Sequence, residues 1–246
     1  MPTHKKATSV PLLIASPSSS TPPGGEPPAV LSYFAMRRAA GYVGLALPPV
    51  VVLFDHFWSR QSCIPSSISA SYYTGSRNFF IGSLCAVGIF LITSIGYKED
   101  KPYSIFAGIM AFLVAFCPTK PDTCCKLPGT GAPFWYSHYI HMAAAVLLFL
   151  TFAWFCLVLF CRSSPHQKGF LPKLAGLPRQ KRKRNLTFIV CGSVMVAAML
   201  YYAAVVLLGQ HGHPEPRYAL LIVEWICLWA FAVAWLVKGQ QLFKDE

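Results

Sequence analysis

The sequence predicts an all-α, polytopic membrane bundle of six transmembrane helices with both termini cytoplasmic, and three observations carry that prediction. The chain is 54% hydrophobic and only 12% charged, with a mean hydropathy of +0.48, whereas charged residues make up about a quarter of an ordinary soluble domain. Six apolar segments approach or reach the roughly 20 residues that a helix needs to cross a bilayer. When alternate loops are assigned to opposite sides, 16 of the 21 Lys and Arg fall on one of them. The positive-inside rule makes that side the cytoplasm.

Residues 1–36 are rich in Pro, Ser and Thr, with SPSSSTPPGG at their centre. Such a composition buries too little apolar surface to offset chain entropy, so a disordered cytoplasmic tail is expected. Val10 to Ala15 is apolar but shorter than a secretory h-region, and no cleaved signal is expected. Residues 37–246 form the transmembrane domain, with helices at about 39–58, 78–97, 103–118, 138–161, 186–208 and 219–237. Pro48 and Pro49 should kink the first, because proline removes a backbone donor and crowds the preceding turn. The third is the shortest. Gly82, Gly88, Gly108, Ala143, Ala144, Ala197 and Ala198 would let helices approach closely.

The net charge of +12 is concentrated in Arg179 to Arg184, a run between two apolar segments that orients a membrane protein rather than binding nucleic acid. The minority side carries only Arg60, Arg77, Lys120, Lys126 and Arg217. This orientation puts the Asn185-Leu186-Thr187 sequon on the cytoplasmic face, so glycosylation there is discounted.

The outer side collects the informative polar residues. Read as helix, the stretch Ser66 to Arg77 puts Ser69, Tyr73 and Arg77 four apart on one face. Asp55 and His56 end the first helix, and Glu224 lies about 8 Å inside the last at 1.5 Å per residue. A bare carboxylate at that depth is costly. Arg77 is the expected cation, shared between Glu224 and Asp55, in a pocket with Ser69, Tyr73 and the histidines. The same residues could equally form an interhelical cluster that only fixes packing.

His138 and His141, three apart on a helix, could share a metal with His56 or an acid, or could simply sit at the interface beside Trp135 and Tyr136. His211 and His213 read as solvated. Cys63, Cys117, Cys124 and Cys125 lie outside, where one of the adjacent pair could bridge to Cys63 or Cys117. Cys85, Cys156, Cys161, Cys191 and Cys227 read as buried, inert thiols.

The segments SSISASYYTGSRNFFIGSLCAVGIFL, FCPT, WYSHYIHMAAA and WLVKG resemble a family of uncharacterised six-helix bacterial integral membrane proteins, over about residues 40–244. That resemblance implies a bacterial plasma-membrane location and no particular activity. More distantly, Ser69, Asp55, His138 and His141 resemble the superfamily of alkaline ceramidases and progestin/adiponectin-receptor-like proteins, seven-helix membrane hydrolases that hold zinc through three histidines. This chain has HxxH where that superfamily has HxxxH, and one helix fewer.

The expected partners are therefore the lipid bilayer and a small or lipid-like ligand, bound or moved through an outward-facing polar pocket without a cofactor. The alternative is a metal-dependent intramembrane lipid hydrolase using zinc, with Asp55 or Glu224 activating water. The chain has no phosphate-loop or Rossmann glycine pattern, which argues against an ATP-driven pump or a redox enzyme.

Overall fold

The computed structural model describes residues 28–58, 64–93, 100–122, 134–162, 177–212 and 214–239, with side chains from Phe34 onward. Every regular element among them is helical: α1 (Pro28–Phe57), a short 3₁₀ helix (Ser69–Tyr73), α2 (Arg77–Thr93), α3 (Lys101–Phe116), α4 (Ser137–Trp154, continued by a π-helical turn, Phe155–Leu159), α5 (Arg179–Gln210) and α6 (Ala219–Lys238).

Four of these helices, α1, α4 with its π turn, α5 and α6, are long and apolar enough to cross a membrane. At 16 and 17 residues, α3 and α2 are each about 25 Å long at 1.5 Å per residue, short of a hydrocarbon core of about 30 Å. The outer surface is apolar, with Leu53, Ile89, Ile109, Leu150, Leu200 and Ile222 all at least 46% exposed. Asp55, Ser69, His141 and Glu224 are buried. This distribution suits a surface that meets lipid instead of water.

Several boundaries differ from the sequence reading. α1 begins at Pro28, so residues 28–36, assigned to a disordered tail, are helical. Proline at the first helical position has its φ preset and loses no bond there. α5 begins at Arg179, because Lys and Arg are good helix formers and extend the apolar segment at no cost.

The helices follow one another around a ring: α1 packs on α2, α2 on α3, α3 on α4, α4 on α5, α5 on α6, and α6 returns to α1. Glycines set the closest contacts. A Cβ on Gly108 would lie 2.8 Å from the Gly88 carbonyl oxygen, and one on Gly192 would lie 2.6 Å from Leu157 in the π turn. Ala144 and Ala198 are buried, while Gly82, Ala143 and Ala197 face outward and mediate no such approach.

Pro48 and Pro49 lie within a continuous α1. Pro49 has no N–H to donate to the Leu45 carbonyl, and that carbonyl accepts a 3.1 Å hydrogen bond from Trp229 Nε1 on α6. The proline therefore converts an intrahelical bond into a bond between helices, the usual way to resatisfy freed backbone in a membrane. Deeper in, Phe152 stacks on Phe231 at 4.1 Å, and Trp235 meets Phe155 and Phe160 at 5.3 and 4.9 Å.

Candidate functional site

Between α1 and α2 the chain turns inward as a serine-rich plug over one end of the bundle. Residues Ser67 to Ser76 form one 3₁₀ turn flanked by tight turns, not an α-helix, and Arg77 opens α2. Hydroxyls compete with regular helix for local backbone partners, and here the Ser67 Oγ accepts from the Ala70 N–H at 2.9 Å. The expected face of Ser69, Tyr73 and Arg77 is consequently broken up, and the three residues point to three different partners.

Two buried carboxylates hold the plug, one from α6 and one from α1. Glu224 of α6 accepts from the Ser69 hydroxyl at 2.7 Å, from the Ile68 N–H, and from the Ser69 N–H at 3.4 Å. Asp55 of α1, fully buried, accepts from the Thr74 and Ser76 hydroxyls at 2.7 and 2.8 Å and from the Ser76 N–H at 3.1 Å. Each acid thus has three donors and, among the described residues, no cation, a form of stabilisation that hydroxyls and amides supply to a carboxylate.

Arg77 does not join them. Its guanidinium lies over the Tyr72 ring at 4.2 Å and donates to the Tyr72 hydroxyl at 2.7 Å on the exposed side of the plug. The expected pocket of two acids sharing one arginine is therefore corrected. The acids are 169 positions apart in sequence, and the residues between Ser69 and Thr74 separate their donor sets.

Two further ties seat the plug. The Tyr73 hydroxyl donates to the Thr119 carbonyl at 2.6 Å, and burial pushes its phenol above the usual range. The Ser66 N–H donates to Asp122 at 2.8 Å, and the Ser66 carbonyl accepts from the Leu221 N–H at 3.2 Å. Thr74, Ser76, Thr119 and Asp122 were not among the predicted site residues. The density of hydroxyls in the 66–76 stretch was the available signal for the first two.

The histidines are used separately. His141 is 1% exposed and donates from Nδ1 to the Cys117 carbonyl at 2.7 Å, while its buried Nε2 has no partner among the described residues. His138 Nδ1 meets the Thr119 hydroxyl at 3.1 Å. His56 is exposed at the end of α1, packed against Phe57 at 4.7 Å. Among the described residues no three His, Cys, Asp or Glu side chains are grouped to hold a metal. Cys117 carries a free thiol, whereas Cys63, Cys124 and Cys125 lie outside the described residues. Cys156, Cys161, Cys191 and Cys227 are buried free thiols, and Cys85 is half-buried.

Beneath the plug lies a narrow cavity of about 40 Å³. Its walls come from α1, α2, α3, α4 and α6, including Leu47, Val87, Val114, Leu148 and Phe231, and its polar lining is limited to Ser69, Ser83 and Glu224. The space is thus mostly apolar, where a polar pocket was expected. Set against protein-family models, curated proteins and solved structures, the chain shows no significant match to any of them.

Proposed function

We propose that this is a six-pass plasma-membrane protein, cytoplasmic at both ends, that binds a lipid-like amphiphile within the bundle. The cavity below the plug, about 40 Å³ as it stands, has to widen to take the ligand's apolar portion, and a hydroxyl or amine head meets Glu224 and Ser69. One observation carries this reading: an interior apolar cavity closed at one end by a buried carboxylate and a hydroxyl. Small-molecule sites combine mostly apolar walls with few convergent polar groups in this way. The asymmetry of Lys and Arg supports placing the plug on the outer side. The plug would have to shift for a ligand to enter.

The test uses a long-chain alcohol carrying a mid-chain diazirine, photolysed with the protein in nanodiscs. Label is expected at Leu148 or Leu228, located to the residue by fragmenting the labelled peptides. Ala145→Val, which adds two methyl groups to the cavity wall, should reduce that label while leaving thermal unfolding near the wild-type value. Label confined to bilayer-facing residues such as Leu150 and Ile222, and unchanged by Ala145→Val, would refute the reading.

A further inference from the structure

On the outer surface beside the plug, α1 and α6 leave an apolar groove of about 360 Å³. Along α6 it is lined by Tyr218, Leu221, Ile222, Trp225 and Ile226, at the i, i+3, i+4, i+7 and i+8 spacing that places side chains on one face of a helix. Val52 of α1 and Ile64, which leads into the plug, complete the lining, and it is apolar throughout. Leu221 is only 6% exposed, whereas Ile64 and Ile226 are 37% and 38% exposed and Ile222 is 54%. Among the described residues the groove therefore has a buried floor and is open to the outside. It shares no lining residue with the cavity beneath the plug.

Fixed contacts hold the groove in shape. The Leu221 N–H at its floor donates to the Ser66 carbonyl of the plug at 3.2 Å. At its inner end Trp225 meets Trp229 edge-on at 5.6 Å, and the Trp229 indole is itself bonded to the Leu45 carbonyl of α1. A space of this size would take about twelve waters at roughly 30 Å³ each, but a water needs two to four polar partners and these walls offer it none. The groove opens onto the belt of exposed apolar side chains that includes Leu53 and Ile222, so the medium available to fill it is hydrocarbon.

Direction, width and depth indicate which hydrocarbon. From Tyr218 to Ile226 the groove follows the α6 axis for about 12 Å at 1.5 Å per residue, and that axis crosses the membrane. Spread over this length, its volume gives a cross-section of about 30 Å², well under the roughly 80 Å² of a helix about 10 Å across. A single flexible chain fits, and a helix of another protein does not. The end at Tyr218 carries the Arg217 guanidinium 5.3 Å from the ring centroid, a pairing of residue types that belongs at the membrane border. Twelve ångströms from that border is less than half of a hydrocarbon core of about 30 Å, so the groove stays within one leaflet.

We propose that this groove holds one acyl chain of a phospholipid from the leaflet on the plug's side. Recognition is by the shape of the apolar walls, since no charged side chain lines them, and the headgroup is left in the lipid layer. The chain packs on Leu221 and Ile64 and so covers the two segments that the Ser66 to Leu221 bond joins. This site is independent of the proposed amphiphile cavity.

The experiment photolyses the protein in nanodiscs of phosphatidylcholine carrying a mid-chain diazirine and locates the label to the residue. Ile222 should be labelled well above Leu150, which is similarly exposed at 47% but lines no part of the groove. Ile226→Trp, which fills the groove, should lower the label at Ile222 about tenfold, the effect of displacing two buried methylenes, and leave Leu150 unchanged. Ile64→Trp should do the same from outside α6, so the outcome does not hang on one substitution. Ile109→Trp, on the exposed surface of α3, should alter neither. In native mass spectrometry one phospholipid should stay on the wild type and be lost from Ile226→Trp, with phosphatidylcholine and phosphatidylglycerol retained alike. Equal labelling of Ile222 and Leu150, unaffected by Ile226→Trp, would overturn the site. Retention of phosphatidylglycerol alone would show that headgroup charge decides, and a dimer crosslinked through Ile222 would assign the groove to a second copy; either result would overturn the acyl chain as occupant.

Discussion

Removing the Glu224 carboxylate measures how firmly the plug is fastened to α6. Glu224→Ala leaves two close donors, the Ser69 hydroxyl and the Ile68 N–H, buried without their acceptor. At about 1–3 kcal/mol for each stranded donor, the expected loss is about 2–6 kcal/mol. Glu224→Gln keeps one acceptor oxygen for the Ile68 N–H, and its amide can donate to the Ser69 hydroxyl, so its cost should be about 1–2 kcal/mol. The 2.7 Å contact with Ser69 adds a second constraint. In a cycle of Ser69→Ala, Glu224→Ala and the double variant, the coupling should be about 1.5–3 kcal/mol, the range for a hydrogen bond to a charged group. The assay is unfolding in mixed micelles at rising SDS fraction, followed by tryptophan fluorescence. A coupling below about 0.5 kcal/mol, within the error of additivity, or glutamine as damaging as alanine, would refute the latch.

Four other outcomes follow from particular contacts. Arg77→Ala should cost no more than about 1 kcal/mol, the loss of an exposed cation–π contact, and should add simply to Glu224→Gln and to Asp55→Asn in the same unfolding assay; rescue by either would restore the shared-arginine pocket. Trp229→Phe should cost about 1 kcal/mol in wild type by losing the Leu45 bond, and much less beside Pro49→Ala, whose restored N–H can take that carbonyl; equal costs in both backgrounds would refute the exchange. Gly108→Ala should destabilise by about 1–3 kcal/mol, since its new Cβ would meet backbone at 2.8 Å, whereas Gly82→Ala, with nothing within 4 Å, should be neutral or stabilising. Cysteine labelling from outside the cell should reach a thiol placed at Gln210 and miss one at Gln180; the reverse would invert the proposed topology.

Most of the helical architecture was legible in the chain itself. Apolar length is a local property, so α4, α5 and α6 could be read from their hydrophobic runs, and the burial of Glu224 followed from its depth within α6. The basic run could likewise be read as a charge cluster next to an apolar segment, though not as the first turns of α5. The partners of the acids were not legible. Coulomb's law made Arg77 the natural expectation for Asp55 and Glu224, but pairing depends on where side chains arrive in three dimensions. The 3₁₀ turn at Ser69–Tyr73 directs its hydroxyls and amides inward and leaves Arg77 outside on Tyr72. Sequence alone therefore determined that this protein has apolar membrane-length helices with buried acids near one end. Only the tertiary structure decided that those acids are held by the backbone and hydroxyls of the plug, because a carboxylate is satisfied by whichever donors packing delivers to it, and helix packing is not written in any local pattern.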